Sequence, residues 1–255
     1  MGAVFLYSNL TPAFRATSAP FVAAAGGRAA RIAWAVASAT GWERFLPRYW
    51  EPWRELGARE VVPIVPTGDP ARLSADALRG LATCSGIFVC GGDTRAYHAL
   101  YVQGPAGDII RARCAEGVAY AGLSAGALIA AQWCTVWGDR LTTSANACYL
   151  GGADAGCDAE LQVSGGLGLI AGVVPEPHFS ERGGFPRLVA AMAATKTTCG
   201  LGFDDGICVH GVAAGWLSVE GHGRAYMFTS SGPGTFACRV LEPGDRMRLG
   251  PVDCP

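Results

Sequence analysis

Short apolar runs alternate with stretches of helical periodicity along most of the chain. An apolar run of about four to eight residues between glycine, proline or polar residues predicts a buried strand, whereas an amphipathic repeat predicts a helix. The alternation of the two patterns predicts an α/β fold, a doubly wound and mostly parallel sheet with helices on both faces. In the first half, the predicted strands are AVFLYS (3–8), RIAWAVAS (31–38), REVVPIVP (59–66) and GIFVCGG (86–92), and the predicted helices include SADALRGLAT (74–83) and IIRARCAEG (109–117).

The second half continues this alternation after a long polar interruption. LIAGVVPEPHF (169–179) and LGFDDGICVH (201–210) each predict one strand, and GFPRLVAAMAAT (184–195) predicts a helix between them. WLSVEGHGRAYMFT (216–229) predicts a C-terminal β-hairpin that turns at Gly221–Gly223. Residues 141–166 are polar and glycine-rich, which predicts a long loop near a functional site. Because no linker or repeat interrupts the pattern, residues 1–255 are predicted to form one domain.

The segment VAYAGLSAGALIAAQ (118–132) places Ser124 between a predicted strand and a predicted helix. Its small neighbours Gly122, Ala125 and Gly126 permit a sharp turn without side-chain clashes. Two interpretations are open at this point. In one, the Ser124 hydroxyl only caps the helix. In the other, the turn presents the hydroxyl as a nucleophile beside helix amides that have no intrahelical acceptor.

Three predicted loops leave the carboxyl ends of strands, where sites form in open α/β sheets. They are GGD (91–93), LSAG (123–126) and EPHFSER (176–182). A serine hydroxyl needs a base to remove its proton, and an imidazole can accept that proton and later return it. We therefore predict Ser124 as nucleophile and His178 as its base. The amides of Gly92 and Ala125 are predicted to stabilise the oxyanion. The other histidines, His98, His210 and His222, are assigned structural or surface positions.

Composition narrows the class of protein. Hydrophobic residues make up 50% of the 255 residues, charged residues only 16%, and the net charge is −1. The absence of a basic run makes nucleic acid an unlikely partner. No apolar stretch of about 18 residues occurs, and the N-terminus lacks the pattern of a secretory signal, so we predict a cytoplasmic protein without a membrane partner.

The ten cysteines are scattered, and no Cys-x-x-Cys pair occurs. Most lie in apolar runs, where a free cysteine packs as a small hydrophobic side chain. Neither a metal site nor any other cofactor is therefore predicted. Cys148 and Cys157 flank a glycine-rich loop, and whether they pair is left open.

Four segments together resemble the S51 serine peptidases, the family of aspartyl dipeptidase and cyanophycinase. They are GIFVCGGDT, AGLSAGA, GGLGLIAGVVPEPHFSERGGFPRLV and GLGFDDGICV, and the similarity runs from about residue 29 to residue 228. The resemblance implies a fold like that of class I glutamine amidotransferases, related to flavodoxin-like folds. It implies Ser124 as nucleophile, His178 as base, and Gly92 and Ala125 as oxyanion donors.

The third member of the implied triad is open. Aspartyl dipeptidases carry an aspartate shortly after the nucleophile helix, and extension along the chain places Asp139 there. Such a carboxylate would fix the imidazole tautomer and stabilise the imidazolium. Cyanophycinases use a glutamate in this general region, so Asp154, Asp158 and Glu160 are alternatives.

The segments around the predicted site depart from the cyanophycinase pattern. Pro177 stands where those proteins have a glutamine that helps to hold β-aspartyl-arginine, and Gly184 stands where an arginine is usual. Thr94 follows Asp93 as in the GGNT segment of the dipeptidases. The resemblance therefore favours the dipeptidases over the cyanophycinases.

Several charged or polar side chains are predicted to bind substrate, namely Asp93, Thr94, Glu176, Arg182 and Arg187. Arg182, Arg187 or Arg95 could pair with a substrate carboxylate through two parallel hydrogen bonds. The alternative is that Arg182 orders its own loop through Glu176 or Glu181.

The resulting hypothesis is a serine hydrolase that cleaves a small peptide or isopeptide containing an aspartyl-type residue. Three other functions remain open: a cyanophycinase-like exopeptidase, an acyl transferase or tailoring amidase, and a non-catalytic binding module on the same fold. The sequence also leaves open whether the chain forms a homodimer.

Overall fold

The computed structural model describes residues 1–68, 72–138, 160–212, 215–232 and 234–248. Its helices are α1 (Phe14–Ala24), α2 (Pro47–Glu55), α3 (Ala75–Thr83), α4 (Thr94–Tyr101), α5 (Pro105–Ala115), α6 (Ala125–Ala130) and α7 (Phe185–Thr195). Its strands are β1 (Val4–Tyr7), β2 (Arg31–Ala35), β3 (Glu60–Ile64), β4 (Gly86–Val89), β5 (Ala119–Leu123), β6 (Trp133–Trp137), β7 (Gln162–Gly165), β8 (Val173–Pro177), β9 (Cys199–Phe203), β10 (Ile207–Val212), β11 (Trp216–Gly221), β12 (Ala225–Gly232), β13 (Thr235–Leu241) and β14 (Arg246–Arg248).

A large sheet with the strand order β14-β11-β10-β1-β5-β4-β2-β3 forms the centre of the molecule. The five neighbouring strands β1, β5, β4, β2 and β3 pair in parallel. Strands β10, β11 and β14 extend the sheet beyond β1 with antiparallel pairing. All residues of β1, β4 and β5 are buried, as continuous apolar strands between two helical layers should be. The predicted α/β class with a mostly parallel sheet is confirmed. The carboxyl ends of β1, β4 and β5 lie side by side and carry the candidate site.

The predicted turn of the C-terminal hairpin is wrong. Strand β11 pairs with β10 and β14 in the large sheet, whereas β12 lies in a second sheet of order β13-β12-β9-β8. The chain therefore changes sheets at Gly221–Gly223 instead of folding back on itself. A C-terminal hairpin does form, but from β12 and β13, which pair antiparallel. Glycine-rich turn signals occur both at Gly221–Gly223 and between β12 and β13. Only the long-range pairing of the strands shows which of the two turns closes a hairpin.

The segment LGFDDGICVH, predicted as one strand, forms two. Strand β9 belongs to the second sheet and β10 to the large sheet, and a tight turn at Asp204–Gly206 joins them. The Ile207 amide donates to the Asp204 carbonyl at 3.1 Å, and Gly206 adopts a φ of 86° that favours glycine. Asp205 consequently lies in a turn next to the carboxyl end of β1.

The predicted loop at 141–166 is shorter than expected at its carboxyl end. Strand β7 pairs antiparallel with β6, and Nε2 of His98 lies 2.7 Å from the Gly165 carbonyl oxygen. Residues 139–159, including Cys148 and Cys157, lie outside the described residues. Six cysteines are free and buried as predicted: Cys84, Cys90, Cys114, Cys134, Cys199 and Cys208.

Local sequence explains why the elements start where they do. Ser74 caps α3 by accepting a hydrogen bond from the Ala77 amide at 3.1 Å, which confirms the predicted capped helix.

Phe88 of β4 packs against five aromatic rings of β1, α1 and α2, at centroid distances of 5.1–6.0 Å. No helix among the described residues is long and apolar enough to cross a bilayer.

Candidate active site

Ser124 lies on a strained turn between β5 and α6. Its backbone has φ 52° and ψ −107°, outside the regions that a serine usually adopts, and its amide donates to the Tyr7 carbonyl at 2.8 Å. The hydroxyl makes no capping hydrogen bond to α6, so the helix-cap interpretation does not describe this structure. The turn holds the Ser124 side chain at the carboxyl edge of the sheet.

Glycines make the turn possible because the backbone on either side of it is closely packed. A Cβ on Gly126 would lie 2.1 Å from the Val89 carbonyl oxygen, and one on Gly122 would lie 2.2 Å from the Gly126 carbonyl oxygen. Real Cβ atoms do not approach backbone atoms so closely. Both positions therefore require glycine, for space and not for a special φ.

We expect Gly126→Ala to destabilise the protein by about 1–3 kcal/mol, because the strand and the helix start must move apart to admit the methyl group. Gly165→Ala is the matched control, since nothing lies within 4 Å of a Cβ built there. Urea unfolding of both variants measures the effect. Equal unfolding midpoints for the two would contradict the packing argument.

His178 follows β8 and faces Ser124. Its Nε2 lies 2.9 Å from the Ser124 Oγ, within hydrogen-bonding distance. The residue is only 8% exposed and adopts a φ of 56°, unusual for a histidine in a loop. The Ser8 hydroxyl accepts a hydrogen bond from the His178 amide at 2.7 Å, which holds the backbone in place. The structure thus brings Ser124 and His178 together.

Asp205 approaches the imidazole from the opposite side. Its Oδ1 lies 2.6 Å from the His178 Nδ1 and accepts a second hydrogen bond from the Ser8 hydroxyl at 2.9 Å. Its Oδ2 accepts from the Asn9 side-chain amide at 2.9 Å, and its own amide donates to Oε1 of Glu181 at 3.0 Å. This carboxylate occupies the position that orients the base in a serine–histidine–aspartate triad.

The sequence interpretation did not identify Asp205, Ser8 or Asn9. Asp139, Asp154 and Asp158 lie outside the described residues, and Glu160 is exposed. The role of Asp139 therefore stays a prediction, while the described residues supply a carboxylate from the turn after β9. The Asp-Asp-Gly turn signal in GFDDGICV was the available hint.

The surroundings of His178 and Asp205 shift both pKa values downward. Burial favours a raised pKa for Asp205, but the hydrogen bonds from Asn9 and Ser8 and the nearby imidazole outweigh it, and the net pKa is lowered. Burial and the Arg182 guanidinium lower the pKa of His178 below 6.5, against the opposing effects of Asp205 and Glu181. At neutral pH, a neutral imidazole thus faces the Ser124 hydroxyl, ready to accept its proton.

We expect the acid limb of kcat/KM to have its midpoint below pH 6.5, since activity is lost as pH falls through the lowered pKa of His178. Arg182→Gln removes a charge that lowers this pKa and should move the midpoint upward. Glu181→Gln removes a charge that raises it and should move the midpoint downward. A pH–rate profile for each variant measures the shift, and shifts in the same direction would exclude this account.

The turn after β4 lies against Ser124. A Cβ on Gly91 would lie 2.9 Å from the Ser124 Cβ, and Gly92 adopts a φ of 151° in this turn. The Tyr97 hydroxyl donates to the Gly91 carbonyl at 3.0 Å, which ties the turn to α4. The Ala125 amide is the first of α6 and has no intrahelical acceptor. Gly91 therefore lies against Ser124 and Ala125 directly follows it, and the role of the Gly92 and Ala125 amides as oxyanion donors remains a prediction.

Asp93 and Thr94 begin α4 beside this turn. The Asp93 carboxylate caps the helix by accepting from the Arg95 amide at 2.9 Å, and it also pairs with the Arg95 guanidinium at 3.2 Å. Arg95 lies over the Trp137 ring at 3.5 Å from the centroid. These contacts give Asp93 a structural role, and substrate binding by Asp93 and Thr94 stays a prediction.

Glu176 and Arg187 are partners of each other. Glu176 is fully buried, and its Oε1 accepts from Nε of Arg187 at 2.8 Å. Burial raises the pKa of Glu176 despite the opposing charges of Arg187 and Arg182. The ion pair joins β8 to α7, so the contacts in the structure are internal to the protein. Arg182, which is also predicted to bind a carboxylate, is exposed, and its charge lowers the pKa of His178.

Among the described residues, no three histidine, cysteine, aspartate or glutamate side chains are grouped to hold a metal ion. The described site brings together a hydroxyl, an imidazole and a carboxylate. This combination defines the serine-hydrolase type of site.

Comparisons with known proteins agree with the fold. The chain is similar to a peptidase from an acI-B1 Actinobacterium, with a TM-score of 0.69, 15% identity, and coverage of 98% of this chain and 97% of that one. At that identity, the likeness concerns the fold. The chain is 31% identical to a cyanophycinase of Trichormus variabilis and 32% identical to one of Synechococcus elongatus, each over 69% of this chain.

The model of peptidase family S51 matches residues 37–213. The chain belongs to peptidase family S51, which confirms the resemblance carried by the glycine turn, the serine turn and the histidine segment. It spans about half the length of the curated relatives it matches, 55% of the Trichormus protein and 51% of the Synechococcus protein.

Proposed function

We propose that this chain is a serine peptidase that hydrolyses small peptides or isopeptides with an aspartyl-type residue. The observation that carries the proposal is the hydrogen-bonded line from Ser124 Oγ through the His178 ring to Asp205, with distances of 2.9 and 2.6 Å. A buried imidazole held between a hydroxyl and a carboxylate activates the hydroxyl as a nucleophile.

In the first half of the reaction, Ser124 Oγ attacks the scissile carbonyl carbon while His178 Nε2 takes the hydroxyl proton. The developing oxyanion is stabilised by the Gly92 and Ala125 amides, and Asp205 stabilises the imidazolium that forms. Collapse of the tetrahedral intermediate breaks the carbon–nitrogen bond. His178 gives the proton to the leaving amine, and an acyl-enzyme on Ser124 remains.

In the second half, His178 removes a proton from water, and the resulting nucleophile attacks the acyl carbon. The carbon–oxygen bond to Ser124 breaks, and His178 returns the proton to the serine oxygen. The acid product leaves, and the site is regenerated. The neutral resting state of His178 suits both proton transfers, because the same nitrogen accepts and donates in each half.

Recognition of an acidic acyl residue is assigned to Arg182. Its backbone amide donates to the His178 carbonyl at 2.9 Å, so the guanidinium extends from the same turn as the base. A guanidinium can bind a carboxylate through two parallel hydrogen bonds. This placement favours a substrate with a carboxylate near the scissile bond.

The similarity to the two cyanophycinases favours β-aspartyl-arginine as a second candidate substrate. Local packing weighs against it, because Gly184 stands where an arginine is usual in that group. A Cβ at Gly184 would lie 2.9 Å from the Glu176 Cγ, and the space beside it is filled by the buried ion pair. The aspartyl dipeptide therefore remains the preferred candidate.

A screen of α- and β-aspartyl dipeptides tests the proposal, with Ser124→Ala protein as the blank. We expect release of aspartate by the unaltered protein and none by the blank. Addition of a competing amine distinguishes hydrolysis from acyl transfer, since only a transferase should give mainly the amide. Failure to cleave any aspartyl peptide would refute the proposed substrate class.

A further inference from the structure

A cavity of about 500 Å³ opens beside the active site. Its buried part is formed by Trp34, Tyr49 and Tyr97, and Trp42 and Phe45 line it nearer to solvent. The Trp34 ring lies 5.3 Å from the Tyr49 ring and 6.1 Å from the Trp42 ring. The cavity is therefore aromatic over much of its wall, and its size is within the range of small-ligand pockets.

The cavity extends to the neighbours of Ser124. Gly91 and Leu123, which both line it, lie next to that residue. A Cβ on Gly91 would lie 2.9 Å from the Ser124 Cβ, and Leu123 directly precedes Ser124. A group bound in the cavity would therefore lie beside the turn that carries Ser124.

The charge at the cavity rim is mainly positive. Arg44 and Arg48 line the cavity and are exposed at its mouth, and Arg44 lies 4.6 Å from the centroid of the Phe45 ring. Asp93 also lines the cavity, but its carboxylate is paired with Arg95 at 3.2 Å. Two guanidinium groups should therefore attract a carboxylate and repel a cationic side chain.

These features match one part of a dipeptide. Only the leaving residue carries both a side chain next to the scissile bond and a free terminal carboxylate. We propose that the cavity formed by Trp34, Trp42, Phe45 and Tyr49 binds the aromatic leaving residue of an aspartyl dipeptide, with its terminal carboxylate facing Arg44 and Arg48. This inference rests on the proposed function and specifies its substrate as an aspartyl or β-aspartyl peptide of phenylalanine, tyrosine or tryptophan.

Binding measurements test the cavity separately from catalysis. Calorimetry on Ser124→Ala protein gives the affinity for β-Asp-Phe and β-Asp-Arg without turnover. We expect tighter binding of β-Asp-Phe by about tenfold or more, because the phenyl ring packs against the aromatic wall while the cationic rim repels the arginine guanidinium. Amidation of the terminal carboxyl group on the phenylalanine of β-Asp-Phe should weaken binding of the peptide.

Matched variants locate the effect. Trp42→Ala in the Ser124→Ala background should remove the preference for β-Asp-Phe, and Phe45→Ala, at a residue that is 41% exposed, serves if Trp42→Ala does not fold. Trp216→Ala is the control. Trp216 is 42% exposed on β11, which lies near one edge of the large sheet, whereas the cavity residue Trp34 lies on β2 near the opposite edge. Arg44→Gln combined with Arg48→Gln should remove the effect of amidation.

Equal affinities for the two peptides, or a preference that survives the cavity variants, would overturn the cavity assignment even if hydrolysis is observed. Selective binding that depends on Trp42 or Phe45, without turnover by the unaltered protein, supports the assignment and refutes only the proposed hydrolysis. The two proposals can therefore fail separately.

Discussion

Ser124→Ala is expected to reduce turnover of aspartyl dipeptides by about ten-thousandfold or more, because the proposed acyl-enzyme forms on the Ser124 oxygen. The residual rate would come from the oxyanion amides and from substrate positioning. Stability should change little. Alanine tolerates the φ of 52° about as poorly as serine does, and the hydroxyl makes no capping bond whose loss would weaken α6.

A fluorophosphonate probe gives a second measure of the same variant. We expect the unaltered protein to be labelled at Ser124 and the Ser124→Ala protein to remain unlabelled. Ser230→Ala is a matched control: that serine lies on β12 of the second sheet and donates to the Gly232 carbonyl at 3.3 Å. Full turnover by Ser124→Ala protein with an unchanged unfolding transition would exclude the acyl-enzyme mechanism.

The approach of Ser124 to His178 could be predicted because its signals are local. Small residues on both sides of Ser124 permit one kind of turn, and apolar runs before Ser124 and His178 predict strands. The carboxyl ends of parallel strands lie along one edge of an open α/β sheet, so two loops that follow such strands are expected to lie close together. In the structure, Nε2 of His178 lies 2.9 Å from Oγ of Ser124, although β5 and β8 belong to different sheets.

Asp205 could not be located by the same reasoning. Its position depends on a chain that leaves the second sheet after β9 and enters the large sheet at β10, a pairing that is long-range. An apolar run containing Asp-Asp-Gly was interpreted as one strand, which would have put the two aspartates on opposite faces. The turn signal was present, but hydrophobic periodicity dominated the interpretation.

The pairing of Glu176 with Arg187 shows a similar limit. A charged residue close to His178 predicts a substrate contact, yet all five residues of β8 are buried. A strand covered on both faces has no solvent side, so its single carboxylate must find an internal partner. Which arginine supplies it depends on the docking of α7, which short-range patterns do not specify.

Asp205→Asn should reduce kcat/KM by about a thousandfold to ten-thousandfold. An asparagine amide that donates to the His178 Nδ1 would leave the proton on Nε2, the nitrogen that must accept the Ser124 proton. The change also removes a charge that raises the pKa of His178, so the acid limb of the pH–rate profile should move to still lower pH. An Asp205→Asn protein that keeps most of its kcat/KM would contradict this role.

Asp139→Asn provides the comparison, because the family resemblance places Asp139, among other candidates, in the position that the geometry gives to Asp205. We expect Asp139→Asn to retain most of the activity and an unchanged pH–rate profile. The carboxylate 2.6 Å from the His178 Nδ1 is already supported by Ser8 and Asn9, and an imidazole nitrogen has one proton to donate. If Asp139→Asn lost activity while Asp205→Asn kept it, the catalytic carboxylate would come from the segment after β6, and the contact with Asp205 would serve only to hold the turn.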